Sequence, residues 1–189
     1  MTPYDFVHLS LLAVGGEIQG RTKLQKTIYF LGILSGTLAK LGYRPHFYGP
    51  YSDAVAAAVN RLKSLGFITE NTVGIGAIGS SGFEIARHDF RLTEEGKLIA
   101  QKKADQNPEV WEGIRRVAKR FLEAGSIDYM RMSVAAKTIF LLSDAAKPAT
   151  AFDLSESASR LGWNPTPQEV EESVEFLKKL GLVKAGGHP

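Results

Sequence analysis

Two stretches of this chain repeat one another. Residues 52–68 (SDAVAAAVNRLKSLGFI) and 167–183 (PQEVEESVEFLKKLGLV) align without a gap. Val55 stands opposite Val170, Val59 opposite Val174, Leu62 opposite Leu177, Leu65 opposite Leu180 and Gly66 opposite Gly181. The shared apolar positions recur at i, i+4, i+7 and i+10, one face of a helix, and the paired glycine stops that helix ahead of a short β-prone run. The third helix of a winged helix-turn-helix enters its first wing strand in this way. The repeat therefore predicts a mainly α chain with a small β-wing, an α+β fold built from two winged helix-turn-helix-like halves. The halves span residues 1–104 and 105–189, the second with a truncated wing.

Local start and stop signals place the other elements. Thr2-Pro3 opens a first helix that Gly15-Gly16 ends, and Ile18 marks a short first strand. Thr22-Lys23-Leu24-Gln25 reads as a capping box opening a second helix whose stripe is Leu24, Ile28 and Leu31. Residues 43–51 (YRPHFYGPY) read as extended and aromatic, with Gly49-Pro50 turning the chain before Ser52 caps the third helix. The glycine-rich stretch 73–82 followed by strand-like residues to Leu92 reads as a wing and its return arm. Thr93, Asn107-Pro108, residues around Ser126, Thr150 or Asp153, and Thr166-Pro167 start the later helices.

GRTKLQKTIYFL at 20–31, followed by FYGPYS at 47–52 and a helix closing on LGFI, resembles the YwgA-like proteins, an uncharacterised bacterial and archaeal family. More distantly the same blocks resemble the Panacea-type antitoxin domain, where a K-L-Q-K-hydrophobic run also precedes an aromatic-Y-G-P segment. The match covers roughly residues 5–100. Panacea-type domains neutralise toxins by protein contact, so that resemblance implies a protein partner. The YwgA-like branch carries no settled role.

The expected function is a nucleic-acid-binding, transcription-regulator-like module that contacts phosphates through the second helix and the wing, with a protein-interaction module of antitoxin or adaptor type as the alternative. Arg21, Lys23 and Lys26 crowd the first turns of the second helix, where backbone amides already favour an anion. Arg61 and Lys63 on the third helix, with Arg87, His88 and Arg91 on the wing's return arm, could extend this into a phosphate-binding surface for duplex DNA. The leading turns of the third helix argue against base reading, because Asp53, Ala54, Ala56 and Ala57 lack the donors that read base edges. Its counterpart carries Glu169, Glu171, Glu172 and Glu175, which repel phosphate. The other candidate is a protein-docking edge at Tyr48, Gly49, Pro50 and Tyr51 beside the alanine-rich helix. A nucleic-acid binder of this class would pair as a homodimer to span two half-sites.

Catalysis and cofactors find no foothold in the sequence. The chain has no cysteine, which removes disulfides, thiolate metal sites and cysteine nucleophiles. Four histidines (His8, His46, His88 and His188) are scattered without metal-ligand spacing, and no serine sits in a nucleophile elbow. Gly74, Gly76 and Gly79 form a G-x-G-x-x-G that leads into strand-like residues rather than a helix, so a dinucleotide site is not expected. The expectation is a non-enzymatic protein that needs no cofactor or metal. A formal net charge of +3 at neutral pH decides nothing about partners. The apolar run 28–34 is far short of the ~20 residues that span a bilayer, and no basic region precedes the apolar stretch 9–14. The reading is a soluble, cytoplasmic protein.

Overall fold

The computed structural model describes residues 1–78, 84–125, 127–144 and 149–184. The expected wing tip beyond Ile78, with Gly79 and Gly82, lies outside the described residues, as do Ser126 and His188. Helix α1 (Pro3–Ala13) starts where Thr2 accepts the Asp5 amide, and Pro3 fills the first helical position. Strand β1 (Glu17–Gln19) holds Ile18 in the core, and α2 (Arg21–Leu34) follows directly. A 3-10 turn at Leu38–Leu41 precedes α3 (Asp53–Ser64), which Ser52 caps by accepting the Val55 amide at 3.0 Å. Strands β2 (Ile68–Ile78) and β3 (Glu84–Leu92) then form an antiparallel ribbon.

The ribbon joins β1 in a three-stranded antiparallel sheet of order β1-β3-β2. Ile18 pairs with Phe90, and Ile68 with Leu92. Helices α1, α2 and α3 with this sheet make the winged helix-turn-helix expected of the first half. Gly74 and Gly76 lie within strand β2, so the G-x-G-x-x-G spacing leads into no helix there. Thr93 caps α4 (Glu94–Gln106) by accepting the Gly96 amide.

Among the described residues four more helices follow: α5 (Pro108–Glu123), α6 (Tyr129–Asp144), α7 (Ala151–Arg160) and α8 (Pro167–Lys179). Capping boxes start the last two, Thr150 with Asp153 and Thr166 with Glu169. Helices α6, α7 and α8 pack on one another as α1, α2 and α3 do. No strand follows α8 among the described residues.

The repeat is structural as well as sequential. Helices α3 and α8 both end with a glycine at positive φ, +72° at Gly66 and +58° at Gly181. At each end the glycine amide donates three residues back, to Lys63 or Lys178, and the next amide donates five back, to Leu62 or Leu177. This pair of bonds is a Schellman cap, and it satisfies carbonyls that the helix end leaves open. The copies differ in what their outer leucines meet, since Leu65 is 48% exposed while Leu180 is fully buried.

One apolar cluster runs from Phe6 on α1 to Leu180 after α8. Helix α5, which begins after the division at residue 104, packs against α1 and α2. Phe30, Phe121 and Phe176 meet there with ring centroids 5.6 to 6.2 Å apart. Each such aromatic pair contributes about 0.5–1.5 kcal/mol beyond its buried area.

One local expectation fails. No capping box forms at Thr22: the cap position of α2 falls two residues earlier, on Gly20 at φ +92°, and has no side-chain cap. Gln25 is only 6% exposed, and its amide is used on a distant part of the chain.

Candidate interaction site

The FYGPYS block forms a projecting turn mounted on buried donors. Arg44 and Tyr51 exchange both backbone hydrogen bonds at 2.9 Å, closing the base of the loop. At its tip the Gly49 amide donates to the His46 carbonyl at 2.8 Å. Three alternate carbonyls point inward, and each finds a different donor. Trp163 Nε1 donates to His46 O at 2.7 Å, Ser133 Oγ to Tyr48 O at 2.7 Å, and Lys26 Nζ to Pro50 O at 2.6 Å. Those donors come from α2, α6 and the connection between α7 and α8, so both halves hold the loop. Phe47 and Tyr48 project outward, 70% and 53% exposed, with their rings edge to face at 4.9 Å.

The docking candidates therefore separate. Tyr48 is exposed, Tyr51 is half-buried, and Gly49 and Pro50 are buried. Gly49 sits at φ +90° with the Lys137 and Lys26 side chains against it, so it serves the mount rather than the contact surface. Phe47, which the sequence reading passed over as an individual residue, is the most exposed aromatic of the block.

The other motif block is what grips this loop. Gln25 donates to the Ser52 carbonyl and accepts from the Ser52 amide, while the Tyr43 hydroxyl donates to Gln25 O. Lys26, grouped above with the phosphate-binding cations, is 2% exposed and cannot reach a phosphate in this conformation. Burial, reinforced by the Lys137 charge, pulls its ammonium from 10.5 down to about 7. The helical period puts Lys26 on the inner face of α2, which counting basic residues could not reveal.

The remaining cations are divided between faces. Side chains alternate across a sheet. Arg87 and Arg91 stand on the outer face with their partners Asp89 and Glu17, at 2.8 Å each. His88 lies on the inner face with Phe90. There Glu70 gathers Arg21 at 2.7 Å, His88 at 3.0 Å and Lys63. Burial alone would raise the Glu70 carboxyl, but hydrogen bonds from Lys63 and Arg21 and their charges bring it down to about 2. Arg61 turns the other way, over the Tyr4 ring of α1 at 4.9 Å. Lys23 is half-buried on α2. The structure brings Arg21, Lys63 and His88 together and leaves Arg61, Arg87 and Arg91 elsewhere.

Beside this cluster, α2, α3 and the root of the ribbon enclose a cleft of about 260 Å³. Leu24, Val59 and Phe90 line its interior, and Arg21, Asn60 and Glu70 line its polar part. Tyr51 also lines it and packs on His46 with centroids 5.0 Å apart, so the cleft and the aromatic turn adjoin. Glu70, Ser133 and Trp163 were missed from sequence. Only pairing across β2 and the return of the second half bring them to the site.

Among the described residues no group of three or more His, Asp or Glu side chains could hold a metal ion. No helix among them is long and apolar enough to cross a membrane.

No known family profile matches the chain. It is, however, 41% identical over 182 residues to the uncharacterised protein YwgA of Bacillus subtilis (strain 168), an alignment covering 92% of this chain and 95% of that protein. Identity of this extent, reaching well beyond the two motif blocks that first suggested it, places the chain in the YwgA family.

Proposed function

We propose that this protein is a non-enzymatic docking module that binds a protein partner through the Phe47–Tyr48 turn, in the manner of an adaptor or antitoxin. The observation that carries this reading is the contrast between the two exposed rings and their fixed backbone. Aromatic side chains dominate binding hot spots because they bury much area at little entropic cost. Here three hydrogen bonds from three elements already hold the backbone beneath them, so little further ordering would be needed on binding. The distant likeness to Panacea-type domains points the same way.

Duplex DNA is the second reading, favoured by the convergence of Arg21, Lys63 and His88 at the root of the wing. Against it, Glu70 is already bonded to all three, and Arg87 and Arg91 are paired on the opposite face of the sheet. A cation already bound to a carboxylate gains less from a phosphate than a free one. Helix α3 presents Asp53, Ala57, Asn60, Arg61 and Ser64 to solvent; its leading turns offer no donor to a base edge, and Arg61 lies over the Tyr4 ring.

Two measurements separate these readings. Tagged protein is purified from its own host alongside a Phe47→Ser/Tyr48→Ser double variant, and both are titrated against a random duplex at low and physiological salt. The docking reading expects one polypeptide that accompanies the wild type and is missing from the variant, with no duplex binding at either salt. Tight duplex binding that weakens steeply with salt, by a log–log slope near −0.9 per phosphate, would overturn it.

A further inference from the structure

The wing-root cleft has a charge imbalance that specifies what it can accept. Glu70 is a single carboxylate facing two basic side chains, Arg21 and Lys63, with His88 as a third neighbour. Arg21 commits Nε and Nη2 to Glu70, yet its side chain remains 63% exposed. At the root of the ribbon, Glu17 and Asp89 stand on the outer face of the sheet and are paired there. The rim of the cleft thus carries uncompensated positive charge. Beneath it Leu24, Val59 and Phe90 line the apolar part of the cleft, whose whole volume of about 260 Å³ has room for one Leu- or Phe-sized side chain.

We infer that this cleft binds a segment of a partner polypeptide in which an apolar side chain, inserted against Leu24, Val59 and Phe90, is flanked by an Asp or Glu that pairs with the outer edge of Arg21. This rests on the docking reading above and adds the chemistry of a second contact beside the aromatic turn. The apolar interior decides against a phosphodiester, which has no group to fill it. A nucleobase would need several polar partners, and both ends of the Gln25 amide are already committed to Ser52.

The test uses a random peptide library displayed on phage, panned on the full-length chain and counter-selected on Asn60→Trp, whose indole would fill the cleft mouth. Enriched peptides should share an apolar residue with Asp or Glu within two positions. A synthetic peptide of that sequence should bind the wild type at least about tenfold more tightly than Asn60→Trp, about 1.4 kcal/mol, the low end for one buried apolar side chain. Changing its acid to the amide should cost about three- to fivefold, the scale of a partly exposed ion pair. Arg21→Gln, an exposed change, should abolish that acid–amide difference while leaving the apolar part of the affinity. The assignment fails if no enriched peptide depends on Asn60, if those enriched lack an acid, or if Arg21→Gln leaves the acid–amide ratio unchanged. It also fails if a random duplex displaces the peptide in a salt-dependent way. Failure of these peptide measurements, with the cellular partner still lost from the Phe47/Tyr48 variant, removes the cleft alone. Retention of the cellular partner by that variant, with peptides binding as expected, removes the turn alone.

Discussion

Gln25 holds Ser52 by both ends of its side-chain amide: Nε2 donates to the Ser52 carbonyl at 3.0 Å, and Oε1 accepts from the Ser52 amide at 3.2 Å. Ser52 in turn caps α3 and donates from Oγ to the Leu41 carbonyl. One glutamine therefore ties α2 to the start of α3 and to the loop between them. Gln25→Leu would keep the volume and strand the buried Ser52 amide, at about 1–3 kcal/mol, while the Ser52 carbonyl keeps its bond from the Ala56 amide. The urea midpoint should fall accordingly, and Gln25→Glu should do no better because it buries a charge.

His8 is fully buried, stacked on Phe67 at 5.6 Å, with Nε2 2.9 Å from Gly96 O. The carbonyl makes Nε2 the protonated nitrogen of a neutral ring. Burial first, and then the Lys103 charge, pulls its pKa from 6.5 down to about 4. The unfolded chain takes up the proton at the higher pH, so the stability from this group is complete above 6.5 and drains away as pH falls through about 4. The full loss is no more than about 3 kcal/mol. Denaturation midpoints measured between neutral and pH 4 should fall in the wild type and flatten across that window in His8→Phe. An equal slope in both would contradict the assignment.

Lys26 acts with the same sign in a different window. Its folded value of about 7 lies below the ordinary 10.5, so the unfolded chain holds the extra proton between them. Stability should rise with pH above 7 as this mismatch disappears. Near pH 10 the buried Tyr29 and Tyr43, whose hydroxyls burial pushes up, begin to work in the opposite direction because the unfolded tyrosines ionise first. The comparison therefore belongs between pH 7 and 9. There Lys26→Met should remove the rise, at a cost in loop rigidity from the lost bond to Pro50.

Gly96 has no room for a side chain. A Cβ at this position would come within 2.0 Å of the Phe67 carbonyl oxygen, which is backbone and cannot swing aside. Gly96→Ala should cost about 1–3 kcal/mol through displacement of α4 from the β2 root. Thermal melting measures this directly, and an unchanged midpoint would show that the contact is looser than described.

Features written in adjacent residues were legible in the sequence. Thr2-Pro3, Ser52, Thr93, Thr150 and Thr166-Pro167 start helices because a cap acts within three residues of itself. Leu-Gly ends α3 and α8 because only glycine enters the left-handed region without strain. Thr22 misled because a capping pattern was present but Gly20, two residues earlier, took the position. The FYGPYS block was legible as a unit, although Phe47 within it went unremarked.

The sequence alone determined that this chain forms a helical protein with a small wing, two matching helix ends and two motif blocks separated by a fixed spacing. Those properties follow from period and local hydrogen bonding. Only the tertiary structure decided that the two blocks bind one another, since Gln25 meets Ser52 across 27 residues and Trp163 meets His46 across 117. The same is true of the cations, which composition counts alike. Strand register and burial, set by the packing of the whole core, turn Lys26 inward, gather Arg21, Lys63 and His88 on Glu70, and send Arg87 and Arg91 to the opposite face.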